Sequence, residues 1–176
     1  SKTGTKTDEN VDNYLNAMRS GEQQLEFLTE GFVKMSRLEQ NMIQIRKEET
    51  DLLKTVRNCL GRIQKQAEEK RIAFRIELPQ EVNCPHDANW LGEAIDNILD
   101  NAVKYSGDMP QITVICYQKR GTFVIEIRDN GPGIPKKQQK YIFNKYYQAN
   151  KNSTSKKGYG LGLNYVYNVI KAHKGK

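Results

Sequence analysis

Apolar residues along the opening stretch fall on alternating three- and four-residue steps: Val11, Tyr14, Met18, Leu25, Leu28, Phe32, Met35 and Met42. That spacing is an a/d seam, broken only at Gly21 and Glu39, and it predicts a helix over about residues 8–46 after a loop over 1–7. A lone helix of that length cannot bury its seam, so the pattern calls for a partner helix in the same chain or in a second copy. A second amphipathic helix is predicted over 52–70, with Leu53, Val56, Cys59, Leu60, Ile63 and Ala67 on one face. The period then drops to two. Ile72, Phe74, Ile76 and Leu78 mark a strand over 72–78, and Pro79 and Pro85 bracket a short extended piece around Val82. A helix over 87–105 and a turn at Gly107–Pro110 come next. Strands over 112–119 and 122–128 are joined as a hairpin at Arg120-Gly121. A short helix over 136–147, a polar stretch over 148–157 and a helix over 160–172 complete the pattern. Helices and strands mix without βαβ repetition. The expected fold is α+β: a two-layer α/β sandwich whose mixed sheet is covered by helices on one face, preceded by a long coiled-coil-like helix. The expected division is 1–48 and 49–176.

Composition refines this picture. With 176 residues, 37% hydrophobic and 28% charged, the chain can bury one core and carry a helical arm. No apolar run approaches the length of a membrane span, and no stretch of the sequence reads as a signal peptide. The first residues, Ser1-Lys2-Thr3, suggest a piece of a longer protein. Cys59, Cys84 and Cys116 form no CxxC pair and read as reduced core thiols of a cytoplasmic domain. The net charge of +7 is unevenly spread. From Gly131 to Lys176 there are ten lysines and no arginine or acid, while the remainder holds 18 basic and 21 acidic residues. Such a segment suits a triphosphate, an acidic protein surface, nucleic acid or simply solvent. No interleaved aromatic-basic platform favours nucleic acid.

Three stretches carry candidate chemistry. In the helix from Trp90 to Ser106, Leu91, Ile95, Ile98 and Ala102 make a buried stripe with Leu99 beside it. Glu93, Asn97, Asn101 and Lys104 lie on another face. Asn is a poor mid-helix residue because its side chain competes for backbone hydrogen bonds. Two of them one turn apart indicate use, and an amide oxygen is a hard neutral ligand for Mg²⁺, which takes its remaining oxygens from phosphates and water. A single Asn would read as outer-face polarity; the whole stripe favours a site. In "GYGLGLN" (158–164) no Gly-Lys-Ser/Thr follows, so it is no P-loop, and Leu163 stands where a dinucleotide fingerprint needs glycine. Its alternating glycines still let backbone amides meet an anion at a helix start, behind Lys156 and Lys157; a flexible helix lead-in is the plain alternative. In "IRDNGPGIP" (127–135) a strand ends on Asp129 and the chain turns sharply. A carboxylate only accepts hydrogen bonds, so at the bottom of an apolar pocket it would meet the exocyclic amine of adenine and not the carbonyl of guanine. An ordinary Asp-Asn-Gly turn is the competing reading.

Together these stretches resemble the ATP-binding catalytic domain of sensor histidine kinases, in the group shared with gyrase, heat-shock chaperones and mismatch-repair ATPases. "NILDNAVKYS" looks like the family's N box, "DNGPGIP" its first glycine box, "IFNKYY" its F box and "GYGLGLN" its second glycine box, in that order. The resemblance covers about 50–176. It implies ATP and Mg²⁺ as cofactors. Asn101 would be the metal ligand, with Asn97 placing the metal and γ-phosphate and Lys104 contacting phosphate. Tyr105 would pack near the nucleotide and Asp129 would read adenine. Gly131, Gly133, Gly158, Gly160, Leu161 and Gly162 would shape the pocket and lid, which Phe143 would anchor. Hydrolysing relatives place Glu where Asn97 stands; an amide cannot serve as that base, which suits transfer to a side chain, although Glu93 one turn earlier stays open as a base. "FLTEGFVKMSRLE" (27–39) looks like the second helix of the dimerisation hairpin, two of which form a four-helix bundle.

Two departures stand out. The family's phosphoacceptor box is missing: the only histidines are His86, and His173 in an "AHKG" segment that reads as structural. The resemblance also implies a closing pair of strands after Lys174-Gly175 that is missing from this sequence, so an uncovered sheet edge is expected. The resemblance implies a protein-histidine kinase relaying phosphate to a response regulator. Its parent would be a homodimer, membrane-tethered through segments outside this sequence, with no nucleic-acid partner. The alternative is an ATP-dependent clamp of the same fold group without phosphotransfer.

Overall fold

The computed structural model describes residues 11–22, 25, 29, 32, 33, 36, 44–148 and 160–176. The chain divides into two units, Ser1–Met42 and Ile43–Lys176. In the first, residues 11–22 are helical, as are 25, 29, 32, 33 and 36. The seam residues Val11, Tyr14, Met18, Leu25 and Phe32 are exposed; Leu28, Met35 and Met42 lie outside the described residues. The helical pattern does not extend to Arg46, since residues 44–47 are irregular. There the Arg46 amide donates to a carboxylate oxygen of Asp87 at 2.9 Å instead of to a helical carbonyl.

The second unit runs β1 (Glu48–Asp51), α1 (Leu52–Glu69), β2 (Ala73–Glu77), β3 (Asn83–His86), α2 (Ala88–Tyr105), β4 (Gln111–Lys119), β5 (Thr122–Asp129), α3 (Lys136–Gln139) and α4 (Gly162–Ala172). Both long helices start on an aspartate cap. Asp51 accepts from the Leu53 amide and Asp87 from those of Asn89 and Trp90, satisfying donors that the first helical turn leaves free. Antiparallel β1 and β3 form one small sheet. A second sheet has the order β2-β4-β5, with β2 parallel to β4 and β5 antiparallel to it. The hairpin turns at Arg120 and Gly121, both at positive φ (49° and 76°), which matches the twist of the flanking strands.

Alternation on β4 buries Ile112, Val114 and Cys116. They join Leu53, Val56, Cys59 and Ile63 of α1 and Leu91, Ile95 and Leu99 of α2 in one core. Removing each such side chain from water contributes about 1.5–3 kcal/mol. Same-strand pairs Arg75–Glu77 and Arg128–Glu126, each at 2.6 Å, are solvent-facing. The fold is thus α+β with a mixed sheet. All three cysteines are free, and burial pushes the Cys59 thiol up to about 12, out of reach of the thiolate chemistry of exposed cysteines. Among the described residues no helix is long and apolar enough to cross a membrane.

Two elements differ from the sequence pattern. The helix expected over 136–147 stops at Gln139. Three-residue turns follow, Tyr141 N–H to the Gln138 carbonyl and Asn144 N–H to that of Tyr141, and Tyr146 adopts a positive φ (64°) that no helix accommodates. β1 was not expected at all. Its sequence, Glu-Glu-Thr-Asp, has no apolar alternation, and it is a strand because its backbone pairs with β3.

Candidate functional site

α2 presents Glu93, Asn97, Asn101 and Lys104 along one face, and α4 begins against that face. The carboxamide nitrogen of Asn97 donates to the Glu93 carbonyl at 2.7 Å, which leaves its oxygen facing α4. A Cβ placed on Gly162, the first residue of α4, would lie 3.0 Å from that oxygen and 4.0 Å from Asn101 Nδ2. The amide pair and the glycine start of α4 are therefore neighbours. The helix has no side-chain cap at Leu161. Its first amides and its dipole favour an anion there.

At the other end of α2, Lys104 Nζ lies 5.3 Å from the centre of the half-exposed Tyr105 ring. The turn after β5 docks at that point. Gly131 packs so tightly on the last residue of α2 that an added Cβ would overlap the Tyr105 carbonyl oxygen and sit 2.7 Å from Asp129 Oδ1. The Gly131 amide donates to Asp129 Oδ1 at 2.8 Å. Asp129 is exposed at the end of its strand, and Gly133 follows in open space at positive φ. Asn130, which sequence reasoning passed over, clamps this turn. Its amide nitrogen donates to the Met109 carbonyl at 2.7 Å, and its oxygen accepts from the Gln111 amide at 2.9 Å. The Asp-Asn-Gly signal was visible, but only the fold shows what each half of the amide meets.

The segment after α3 is tied to α4. Asn164 donates to the Phe143 carbonyl at 2.8 Å, the Phe143 ring lies 5.7 Å from that of Tyr167, and the Tyr146 amide donates to the Gly160 carbonyl at 3.0 Å. Phe143, Gly160, Leu161 and Gly162 are thus brought together. Gly158, with Lys156 and Lys157, lies outside the described residues. A second residue missed from sequence is Tyr165. It is 2% exposed, its hydroxyl donates to Glu93 Oε2 at 2.6 Å, and its ring stacks on Trp90 with centroids 6.0 Å apart. In this arrangement Glu93 is engaged as an acceptor that joins α2 to α4.

A neutral amide pair, a lysine, uncapped helix amides and a single carboxylate separated along one helix suit a ligand with an anionic end and an amino-bearing end. Among the described residues no cluster of three His, Cys, Asp or Glu side chains could hold a metal. A divalent ion at Asn101 would therefore need phosphate oxygens and water as well, the habit of Mg²⁺.

A family model described as histidine kinase-, DNA gyrase B-, and HSP90-like ATPase matches residues 86–176. The adaptive-response sensory kinase SasA of Gloeothece citriformis is 35% identical over 113 residues, 63% of this chain and 28% of that protein. The chain therefore spans less than a third of that curated relative. The mycobacterial sensor histidine kinase MprB superposes with a TM-score of 0.64 at 29% identity, over 73% of this chain and 81% of that one. Full-length ShkA in complex with AMPPNP superposes with a TM-score of 0.78 over 92% of this chain and 34% of that one, at 22% identity, a likeness of fold. With a family model covering the N-box helix, both glycine turns and the final helix, the chain belongs to the histidine kinase-, DNA gyrase B-, and HSP90-like ATPases.

Proposed function

We propose that this chain is the ATP-binding catalytic part of a sensor histidine kinase. One observation supports this above the rest: Gly162 at the start of α4 lies against the Asn97–Asn101 pair, while the Asp129–Gly131 turn docks on the far end of the same helix. Adenine would be read by Asp129, with Tyr105 beside it. The phosphates would run along α2 from Lys104 past Asn101 toward Asn97 and the amides of α4, and Asn101 would ligate Mg²⁺. A bound metal ion would supply charge neutralisation at the phosphates. The chain's own groups would align the γ-phosphoryl and exclude water, the usual means of phosphoryl transfer. Asn97 is no base, and Glu93 is held by Tyr165, which favours transfer to a side chain over hydrolysis.

Neither histidine is placed to accept the phosphoryl group. His86 is 3% exposed and bonded to Thr55 and the Cys84 carbonyl; His173 is bonded to Val169 and Asp87. The acceptor would lie on a dimerisation helix of the whole protein, and a response regulator would take the phosphate onward. The test adds a histidine-bearing dimerisation hairpin in trans with labelled ATP and Mg²⁺. An acid-labile, base-stable label on the hairpin is the expected result. Nucleotide binding without label would leave the clamp reading, and no nucleotide binding would remove both.

A further inference from the structure

Away from this cleft, three parts of the second unit meet around His173 and Asp87. His173 closes the C-terminal end of α4, and its Nδ1 lies 2.8 Å from the Val169 carbonyl. A carbonyl only accepts, so Nδ1 carries the hydrogen. In the neutral ring Nε2 is then an acceptor. It takes the Asp87 amide at 3.1 Å. Asp87, 8% exposed, caps α2 with one carboxylate oxygen and accepts the Arg46 amide with the other at 2.9 Å. Lys47 Nζ donates to the His173 carbonyl at 2.8 Å. One ring and its neighbour thus join the lead-in residues 44–47, the start of α2 and the end of α4. These are the two helices whose facing residues make the candidate site.

We propose that His173 is a positioning residue: its neutral ring ties α4 to Asp87, whose carboxylate in turn holds the lead-in segment and the start of α2, and gaining a proton at Nε2 breaks that tie. A second N–H there would face the Asp87 N–H, donor against donor, and the bond would be lost. The titratable and charged groups facing the ring are Lys47 from the lead-in segment, Asp87 from the start of α2 and His86 from the end of β3; Lys171 and Lys174 flank it on its own element. Burial, foremost, holds His173 below its ordinary 6.5. The Val169 hydrogen bond opposes this, Lys47 adds to it, and Asp87 raises and His86 lowers it further. For a group whose folded value is depressed, the stabilisation is whole above about pH 6.5 and is lost as pH falls through the folded value.

The link to nucleotide rests on the ATP-site reading; the link to the lead-in segment does not. The experiment therefore begins without nucleotide. Hydrogen exchange is measured on the 176-residue chain and on His173→Gln and His173→Leu, at mildly alkaline and mildly acid pH, corrected for intrinsic rates. Peptides covering 44–51 and 86–92 should exchange roughly threefold or more faster at acid pH in the parent chain. They should show no such change in His173→Gln, whose neutral amide can still accept from Asp87. In His173→Leu they should exchange fast at both pH values. No acceleration in the parent, or the same acceleration in His173→Gln, overturns the proposal. In a second arm, ATP affinity should fall at acid pH in the parent and not in His173→Gln. If exchange behaves as expected while no variant binds ATP at any pH, the latch stands and the ATP reading falls.

Discussion

Gly131→Ala isolates the contact that seats the Asp129 turn on α2. The added methyl carbon would overlap the Tyr105 carbonyl oxygen and stand 2.7 Å from Asp129 Oδ1 and 3.1 Å from the Tyr105 carbonyl carbon, where ordinary contact begins at 3.4 Å. The obstacle at Tyr105 is backbone, so no side chain can swing aside. One relief lifts the turn and breaks the 2.8 Å bond between the Gly131 amide and Asp129. The other unwinds the end of α2, where the Ser106 amide bonds to the Ala102 carbonyl at 3.0 Å. Overpacking costs about 1–3 kcal/mol and a lost hydrogen bond about 1 kcal/mol. The sum, about 2–4 kcal/mol, should lower the thermal midpoint by roughly 4–16 °C for a chain of this size. Gly133→Ala is the matched control. Nothing lies within 4 Å of its Cβ, and only its φ of +71° resists, which costs about 1–2 kcal/mol. Thermal unfolding followed by circular dichroism should therefore place Gly131→Ala below Gly133→Ala, and both below the parent. A Gly131→Ala protein that melts with or above Gly133→Ala would refute the packing argument.

Two further outcomes are expected. Asp129→Asn keeps the oxygen that accepts from Gly131 and should leave the thermal midpoint unchanged. ATP affinity, measured by calorimetry, should fall roughly 10–100-fold through loss of a charged acceptor; unchanged affinity would remove Asp129 from the site. Tyr165→Phe keeps the ring on Trp90 but deletes the 2.6 Å bond to Glu93. Urea titration should show a loss of about 1.5–3 kcal/mol, as for hydrogen bonds to charged groups, and a loss below about 0.5 kcal/mol would mean that the hydroxyl does not join the helices.

Much of the architecture is written in the order of apolar and polar residues. The stripes of α1 and α2, the alternation of β4 and the Arg120-Gly121 hairpin are local facts, because periodicity decides which side of an element must leave water. The four motif stretches and the aspartate at the end of β5 stand out on different grounds: each is a short run of unusual residue types. What no local pattern contains is which groups meet across the fold. β1 is a strand only because β3 lies beside it. The helix expected over 136–147 yields to contacts with Gly160 and Asn164. The bond from Tyr165 to Glu93 spans 72 positions and that from Asp87 to His173 spans 86. A tyrosine in a helix reads as apolar filling and the histidine of the AHKG segment reads as structural, but neither pattern names the polar atom that packing leaves each of them to meet.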